Sequence, residues 1–345
     1  MMRVLIVTAK EDTDRPDVLD TLRCRDSVAD ALASNGYIVD TLEITKEDFG
    51  DPDKLERKIL RHGPDCIFNL FEGFSDDSMK EVSFAMFLES LNIPFTGNGS
   101  TALYSSLDKF LAKQLLASEG VPVPRGKCIK SILYDLDKLP CPAFVKPRFE
   151  DGSVGIDDNS LIVSREQFAE VLPHKLSAFP AGVIVEEFLE GREFNVGLIG
   201  HPPYEVLGIS MIDYKDYPGI MPFLDYRSKW DESSQSYKIT PENPKFITEE
   251  MRQHLIWIAR RAGIALSCKG YFRVDMREKD GRICIIDVNP NPDLNIDSGL
   301  ANQCKRSGLP YDALVSYIVD IALREDNHGL ARETVCEVLR DSAGY

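Results

Sequence analysis

The chain lacks any run of about 18 consecutive apolar residues and any signal-peptide pattern, which argues against a membrane-spanning helix or an export leader and leaves a cytoplasmic protein as the expectation. It has no GxxxxGK[ST] anywhere, which excludes a P-loop. Its first apolar run, residues 2–8, is not followed by GxGxxG, and the lone GNGSTA at residues 97–102 reads as a turn. No CxxC occurs among the eight cysteines, so reduced thiols are expected. The five histidines form no HExxH and read as structural or surface residues. Positive charge is in short supply: 40 Lys and Arg against 56 Asp and Glu, a net charge of -16. That balance excludes a broad nucleic-acid surface but not a locally basic pocket for a nucleotide.

What is present fits an α/β protein of two or three domains, which 345 residues can hold. Over residues 1–105, apolar runs at 2–8, 38–44 and 66–71 alternate with helical stretches at 24–35, 55–62 and 79–91, the pattern of a parallel sheet. In such sheets ligands sit at the C-terminal strand ends, here Thr8 to Asp14 and Phe71 to Asp76. From Ser106 a helix is expected to run to Ser118, with Lys109 and Lys113 on one face. A strand ending in Lys146 then feeds a loop in which Gly152 and Gly155 flank Ser153. Such a loop can wrap backbone N–H groups around phosphate oxygens, with the lysine as a point charge. A short helix over 165–171 precedes Pro173.

Residues 183–189 read as a strand whose edge, Glu186, Glu187, Phe188 and Leu189, can meet an adenine, with Glu193 placed for a ribose hydroxyl. The polar stretch 213–244 is long enough to be a lid. Residues 271–298 carry an alternating hairpin around Lys279, Asp280 and Gly281. Tyr271, Arg273 and Asp275 share a face with Ile285, Asp287 and Asn289, while Phe272, Val274, Met276, Cys284, Ile286 and Val288 face the other way. Such polar groups are costly to bury alone and make sense around a cation and a phosphate. Residues 330–340 suggest one more helix, without visible chemistry.

The motifs IPFTG (93–97), DKFLAK (108–113), FVKPRFEDGSVGI (144–156), VEEFLEGREF (185–194), DYRSKW (225–230) and CKGYFRVDM to DVNPNPDL (268–294) occur in this order. Together they resemble the ATP-grasp superfamily, and within it the D-alanine–D-alanine ligase-like branch, over nearly the whole chain. The resemblance implies an ATP-grasp fold, α/β and α+β, with an N-terminal Rossmann-like (pre-ATP-grasp) domain at 1–105, a small lobe at 106–182 and a large lobe at 183–345 with its lid at 213–244. It implies that Lys109 and Lys146 bind ATP phosphates, that the Ser153 loop covers them, and that Glu186 to Leu189 and Glu193 hold adenosine. Lys229 would reach the γ-phosphate, and Arg273 would steady the transferred group. Asp275, Asp287 and Asn289 would hold two Mg²⁺ ions, with Mn²⁺ as the alternative. Catalytic roles thus fall to Arg273, Lys229 and Ser153. Small-molecule substrates follow, with no nucleic-acid or membrane partner, and homodimerisation through the N-terminal domain.

The implied reaction is ATP-dependent amide formation through an acyl phosphate, releasing ADP and phosphate. Three stretches depart from the ligase pattern. TAKEDTDRPDVLD (8–20) replaces a Gly-rich, Glu-containing motif, FEGFSDDSMKE (71–81) replaces HG followed by GED, and Asp293 aligns with a glycine. Glu81, Asp293 and Ser298 are the expected substrate residues. From these departures the expected substrates are a carboxylate and an amine other than a pair of D-alanines. The alternatives are a D-alanine–D-alanine ligase, an ATP-grasp kinase and a non-catalytic nucleotide-binding module.

Overall fold

The computed structural model describes residues 1–326 other than Asp14, Ser75, Asp76 and Glu232; the helix expected at 330–340 lies outside the described residues. Four successive residues of β1 (Arg3–Ala9), Val4 to Val7, are fully buried, which only a sheet covered on both faces provides. There follow α1 (Pro16–Ser34), β2 (Ile38–Ile44), α2 (Lys46–Phe49), α3 (Pro52–Arg61), β3 (Cys66–Asn69) and α4 (Met79–Ser90). The strands are parallel in the order β2-β1-β3, with Leu5 opposite both Asp40 and Ile67. α1 starts at Pro16 rather than Cys24, because proline at the first helical position has a preset φ and no N–H to leave unpaired. Asp17 therefore lies in a helical first turn and not in a loop.

Where one helix is expected from Ser106, the chain forms two, α5 (Ser100–Leu107) and α6 (Lys109–Ser118). The break is Asp108, whose carboxylate caps α6 by accepting from the backbone of Phe110 and Leu111 and also takes the Arg148 guanidinium on both oxygens. An antiparallel sheet in the order β4-β7-β5-β6 comes next, from β4 (Gly126–Ile129), β5 (Ala143–Pro147) and β6 (Leu161–Ile162), with α7 (Glu166–Ala178) leading into β7 (Val183–Glu187). Phe168 and Leu172 of α7 pack on its buried face. α7 continues through Pro173, where a stop is expected; Lys175 beyond it is buried and tied to Gly155, which holds the last turn in place. β7, grouped by sequence with the C-terminal lobe, hydrogen-bonds between β4 and β5.

The last sheet is antiparallel, in the order β11-β10-β8-β9. β8 (Glu193–Ile199) and β9 (Glu205–Ile212) lead to a segment with α8 (Arg227–Trp230), then α9 (Glu249–Ala265), β10 (Tyr271–Lys279), β11 (Arg282–Pro290), α10 (Gly299–Arg306) and α11 (Tyr311–Asp326). α9 covers one face through Leu255, Ile258 and Ala262 against Phe194, Phe272 and Val274. On the other face α10 approaches so closely that a Cβ at Gly197 or Gly208 would meet the Gln303 side chain. α11 continues onto the first sheet, where Leu314, Val315 and Ile318 share a core with Val4, Ile6, Val28 and Leu32. Residues 213–244 have a small core of their own, in which Tyr214 and Ile239 pack with Ile212.

Candidate functional site: a nucleotide and ligation site

β10 and β11 are joined through Asp280 (φ 52°) and Gly281 (φ 75°), the two left-handed residues that a tight hairpin turn requires. The pairing sets Arg273 opposite Asn289 and Asp275 opposite Asp287, so the four polar residues form one patch. The register shifts after Asp275, and Met276 pairs with Ile285. Strict alternation placed Ile285 beside the acids; the bulge instead turns it into the core with Met276 and leaves Ile286 half-buried, its carbonyl accepting from Lys146 Nζ at 2.8 Å.

Asp275 accepts from Arg273 at 2.7 and 2.8 Å, from Asn289 Nδ2 at 2.8 Å and from Asn195 Nδ2 at 2.8 Å. Asp287 lies 3.1 Å from Lys109 Nζ. Burial alone would raise the Asp287 carboxyl, but Lys109 and Lys146 hold it below its ordinary range. Two carboxylates and an amide on neighbouring strands suit a hard divalent cation that completes its shell with phosphate oxygens and water. Among the described residues no three His, Cys, Asp or Glu side chains gather into a metal cage.

Lys146, at the end of β5, is 3.1 Å from Glu186 Oε1, and Lys113 is 2.7 Å from Glu186 Oε2. Burial opposes the Glu186 charge, yet the two lysines pull its pKa below the usual value. The Glu187 carboxylate is held by Arg125 and Arg282, and the Phe188 carbonyl accepts from Lys279. The acidic side chains of this edge thus face basic neighbours. Glu193 is buried and accepts from the Tyr214 hydroxyl at 2.9 Å, which ties it to the start of the 213–244 segment.

In the loop after β5, Gly152, Ser153 and Gly155 all have positive φ. A Cβ at Gly155 would run into Phe179 and Pro147, so the close approach demands glycine. Lys175 fixes the far leg of the loop, donating to Gly155 O at 2.7 Å and pairing with Asp157 at 2.9 Å. The 213–244 segment closes on this loop, because Arg227 bridges Asp225 at 2.7 Å and Asp158 at 2.5 Å. Lys229, two residues on, is open to the cavity beneath, where desolvation by the surrounding walls and then the charge of Arg273 lower its pKa.

That cavity, about 630 Å³, lies between the start of α1, the segments after β1 and β3, the loop at Gly152 and Val154, residues Tyr226, Lys229 and Trp230 of the 213–244 segment, and the hairpin end from Arg273 to Leu294. Glu81 and Asp293 line it, Glu81 accepting from Asn291 Nδ2 at 3.4 Å. Ser153 and Ser298 are not among its lining residues; the Ser298 hydroxyl instead caps α10 by accepting from the backbone of Ala301. Acids dominate the end remote from the lysines. Loss of solvation in the cavity wall, with Asp293 nearby, pushes the half-buried Asp20 up to about 6 and Glu72, whose side chain is open to the cavity, up to about 8, and desolvation with Asp151 raises Glu81 well above its usual value. Sequence reasoning missed Asn195, Asn291 and the pairing of Lys113 with Glu186. Only Lys113 left a signal, as the residue one turn beyond Lys109.

One parallel and two antiparallel sheets in this chain order fit an ATP-grasp architecture, and the comparisons agree. Residues 127–320 match the family described as D-ala D-ala ligase C-terminus, and the chain belongs to that family. Relatives include the uncharacterized protein y4sG of Sinorhizobium fredii, 29% identical over 88% of both chains, and the D-alanine–D-alanine ligase of Chromohalobacter salexigens, 30% identical over 74% of this chain and 77% of the relative. The D-alanine–D-alanine ligase of Bacillus anthracis, solved with ATP, superposes with a TM-score of 0.74 at 20% identity and covers 94% of this chain and 99% of its own. The chain is thus an ATP-dependent ligase of the carbon–nitrogen bond-forming class. These relatives also overturn the expectation of substrates other than a D-alanine pair. That expectation rested on three short departures, whereas the likeness to D-alanine–D-alanine ligases runs through most of the chain.

Proposed function

We propose that the protein joins two molecules of D-alanine at the expense of ATP. The observation that carries the choice of substrate is the extended similarity to D-alanine–D-alanine ligases, up to 94% of this chain and 97% of the relative from Novosphingobium aromaticivorans. A carboxylate oxygen of the first D-alanine attacks the γ-phosphorus, the bond to the β-phosphate oxygen breaks, and ADP leaves. The neutral amine of the second D-alanine then attacks the acyl carbon, the bond to the phosphate oxygen breaks, and phosphate leaves, taking up the proton that the nitrogen sheds as the amide forms.

The residues divide this work by charge. Lys109 and Lys146 hold the phosphates, Lys229 comes down on the γ-phosphate with the lid, and the Gly152–Gly155 loop covers the chain of phosphates with backbone donors. Arg273 offsets charge on the phosphoryl group in flight and on the tetrahedral intermediate. Asp275, Asp287 and Asn289 would hold Mg²⁺, which when bound neutralises phosphate charge. Glu81, steadied by Asn291, faces the ammonium of the first amino acid, and Asp293 belongs to the end where the second is held, with Ser298 contributing there only as the cap that sets the start of α10. The closed lid keeps water from the acyl phosphate.

The test is phosphate release across a panel of D- and L-amino acids with product mass. D-alanine should give one phosphate per ATP and a D-alanyl-D-alanine product. Turnover with another amino acid and none with D-alanine would sink the substrate assignment.

A further inference from the structure

Lys113 lies one helical turn beyond Lys109 on α6, and none of Lys109, Lys113 and Lys146 is among the residues that line the cavity. Its ammonium sits 2.7 Å from Glu186 Oε2, and the other oxygen of that carboxylate is 3.1 Å from Lys146 Nζ. All three side chains are buried, at 13%, 3% and 6% exposure for Lys113, Glu186 and Lys146. One acid thus stands between two bases. With Lys146 as its only partner, Glu186 would neutralise the lysine that the phosphates need, and in a site of low polarity a phosphate would have to compete with it. The second lysine changes the sum, because three charges in a row leave one positive charge over. Lys146 ends β5 beside the hairpin, donating to Ile286 O at 2.8 Å, so its share of that charge lies next to Asp287 and the polar patch.

We propose that Lys113 is a positioning residue for nucleotide binding, which takes up the charge of Glu186 so that Lys146 keeps its own for the phosphates of ATP. The proposal rests on the assignment of Lys146 to those phosphates. Burial lowers the Lys113 pKa while Glu186 opposes that fall.

The test is calorimetric binding of ATP and of adenosine, without amino acid, to the full chain. Lys113→Met should weaken ATP by about tenfold, one unit of charge acting through partly screened protein, and leave adenosine unchanged. Lys113→Met combined with Glu186→Gln should recover ATP affinity, since the neutral amide no longer competes for Lys146. Lys113→Arg, which keeps the charge, should bind ATP as the parent does and guards against a Met variant that fails to fold. Unchanged ATP affinity in Lys113→Met, equal losses for ATP and adenosine, or no recovery in the double variant would each overturn the proposal. Lys146→Met separates the two layers. If it weakens ATP while Lys113→Met does not, only the positioning role falls; if it leaves ATP binding intact, the phosphate assignment falls as well.

Discussion

Asp287 and Glu72 show how differently two carboxylates can be treated within one site. Asp287 has cations beside it and is held ionised; Asp287→Asn keeps the shape but removes the charge. ADP formation should fall roughly a hundredfold or more while the thermal melt stays close to the parent's, as calorimetry beside a coupled ADP assay would show. Glu72 has the opposite environment. Its side chain is open to the cavity, yet loss of solvation among the cavity walls, then Asp293 and Asp151, pushes its carboxyl from 4.5 up to about 8. Below pH 4.5 the group is protonated in folded and unfolded chains alike. Between there and about 8 the unfolded chain releases the proton and the folded chain keeps it, so stability falls as pH rises through that window and levels off above it. Glu72→Gln should flatten this decline in melting temperature against pH; an unchanged slope would show that the group titrates normally. The charged residues of the hairpin were legible because strand alternation sets them on one face. Asn195 was not, since its contact with Asp275 depends on which strand pairs with β10, and no local pattern carries that information.

Among the elements, the loop at 151–157 is where local chemistry and tertiary packing meet. Its two glycines were readable as a phosphate loop. The reason that the second must be glycine lies in Phe179 and Pro147, which only the folded chain brings to it. Gly155→Ala should cost about 1–3 kcal/mol in left-handed strain and overlap. The same substitution should raise the KM for ATP more than it lowers the melting temperature of the whole chain, which steady-state kinetics and calorimetry together would check. Helix boundaries shifted for similar reasons. Asp108 divides an expected single helix because it has two employments, a cap for α6 and a partner for Arg148, and the second lies 40 residues away. Ile285 and Ile286 exchange places through a bulge, which alternation cannot foresee.

At the scale of the molecule, order and spacing of the six motifs carried the fold, and three short departures misdirected the choice of substrate. Variation in a few loop residues weighs less than a sequence likeness that extends over most of the chain. The whole also depends on its last described helix. A chain ending at Pro310 loses Leu314, Val315 and Ile318, three fully buried side chains worth about 1.5–3 kcal/mol each, against a total stability of about 5–15 kcal/mol. Such a chain should bind a hydrophobic dye and lose its cooperative melt; a sharp transition like the parent's would count against the shared core.

That shared core has a consequence for how the protein is made. Val4 and Ile6 precede Leu314 and Ile318, their partners in one core, by about 300 residues of chain. While those intervening residues are being made, one face of the first sheet waits without its partner, and the core closes only once α11 has followed. Chaperone contact should accordingly fall on residues 3–9 and 28–32 of the nascent chain, at a face that the finished protein hides.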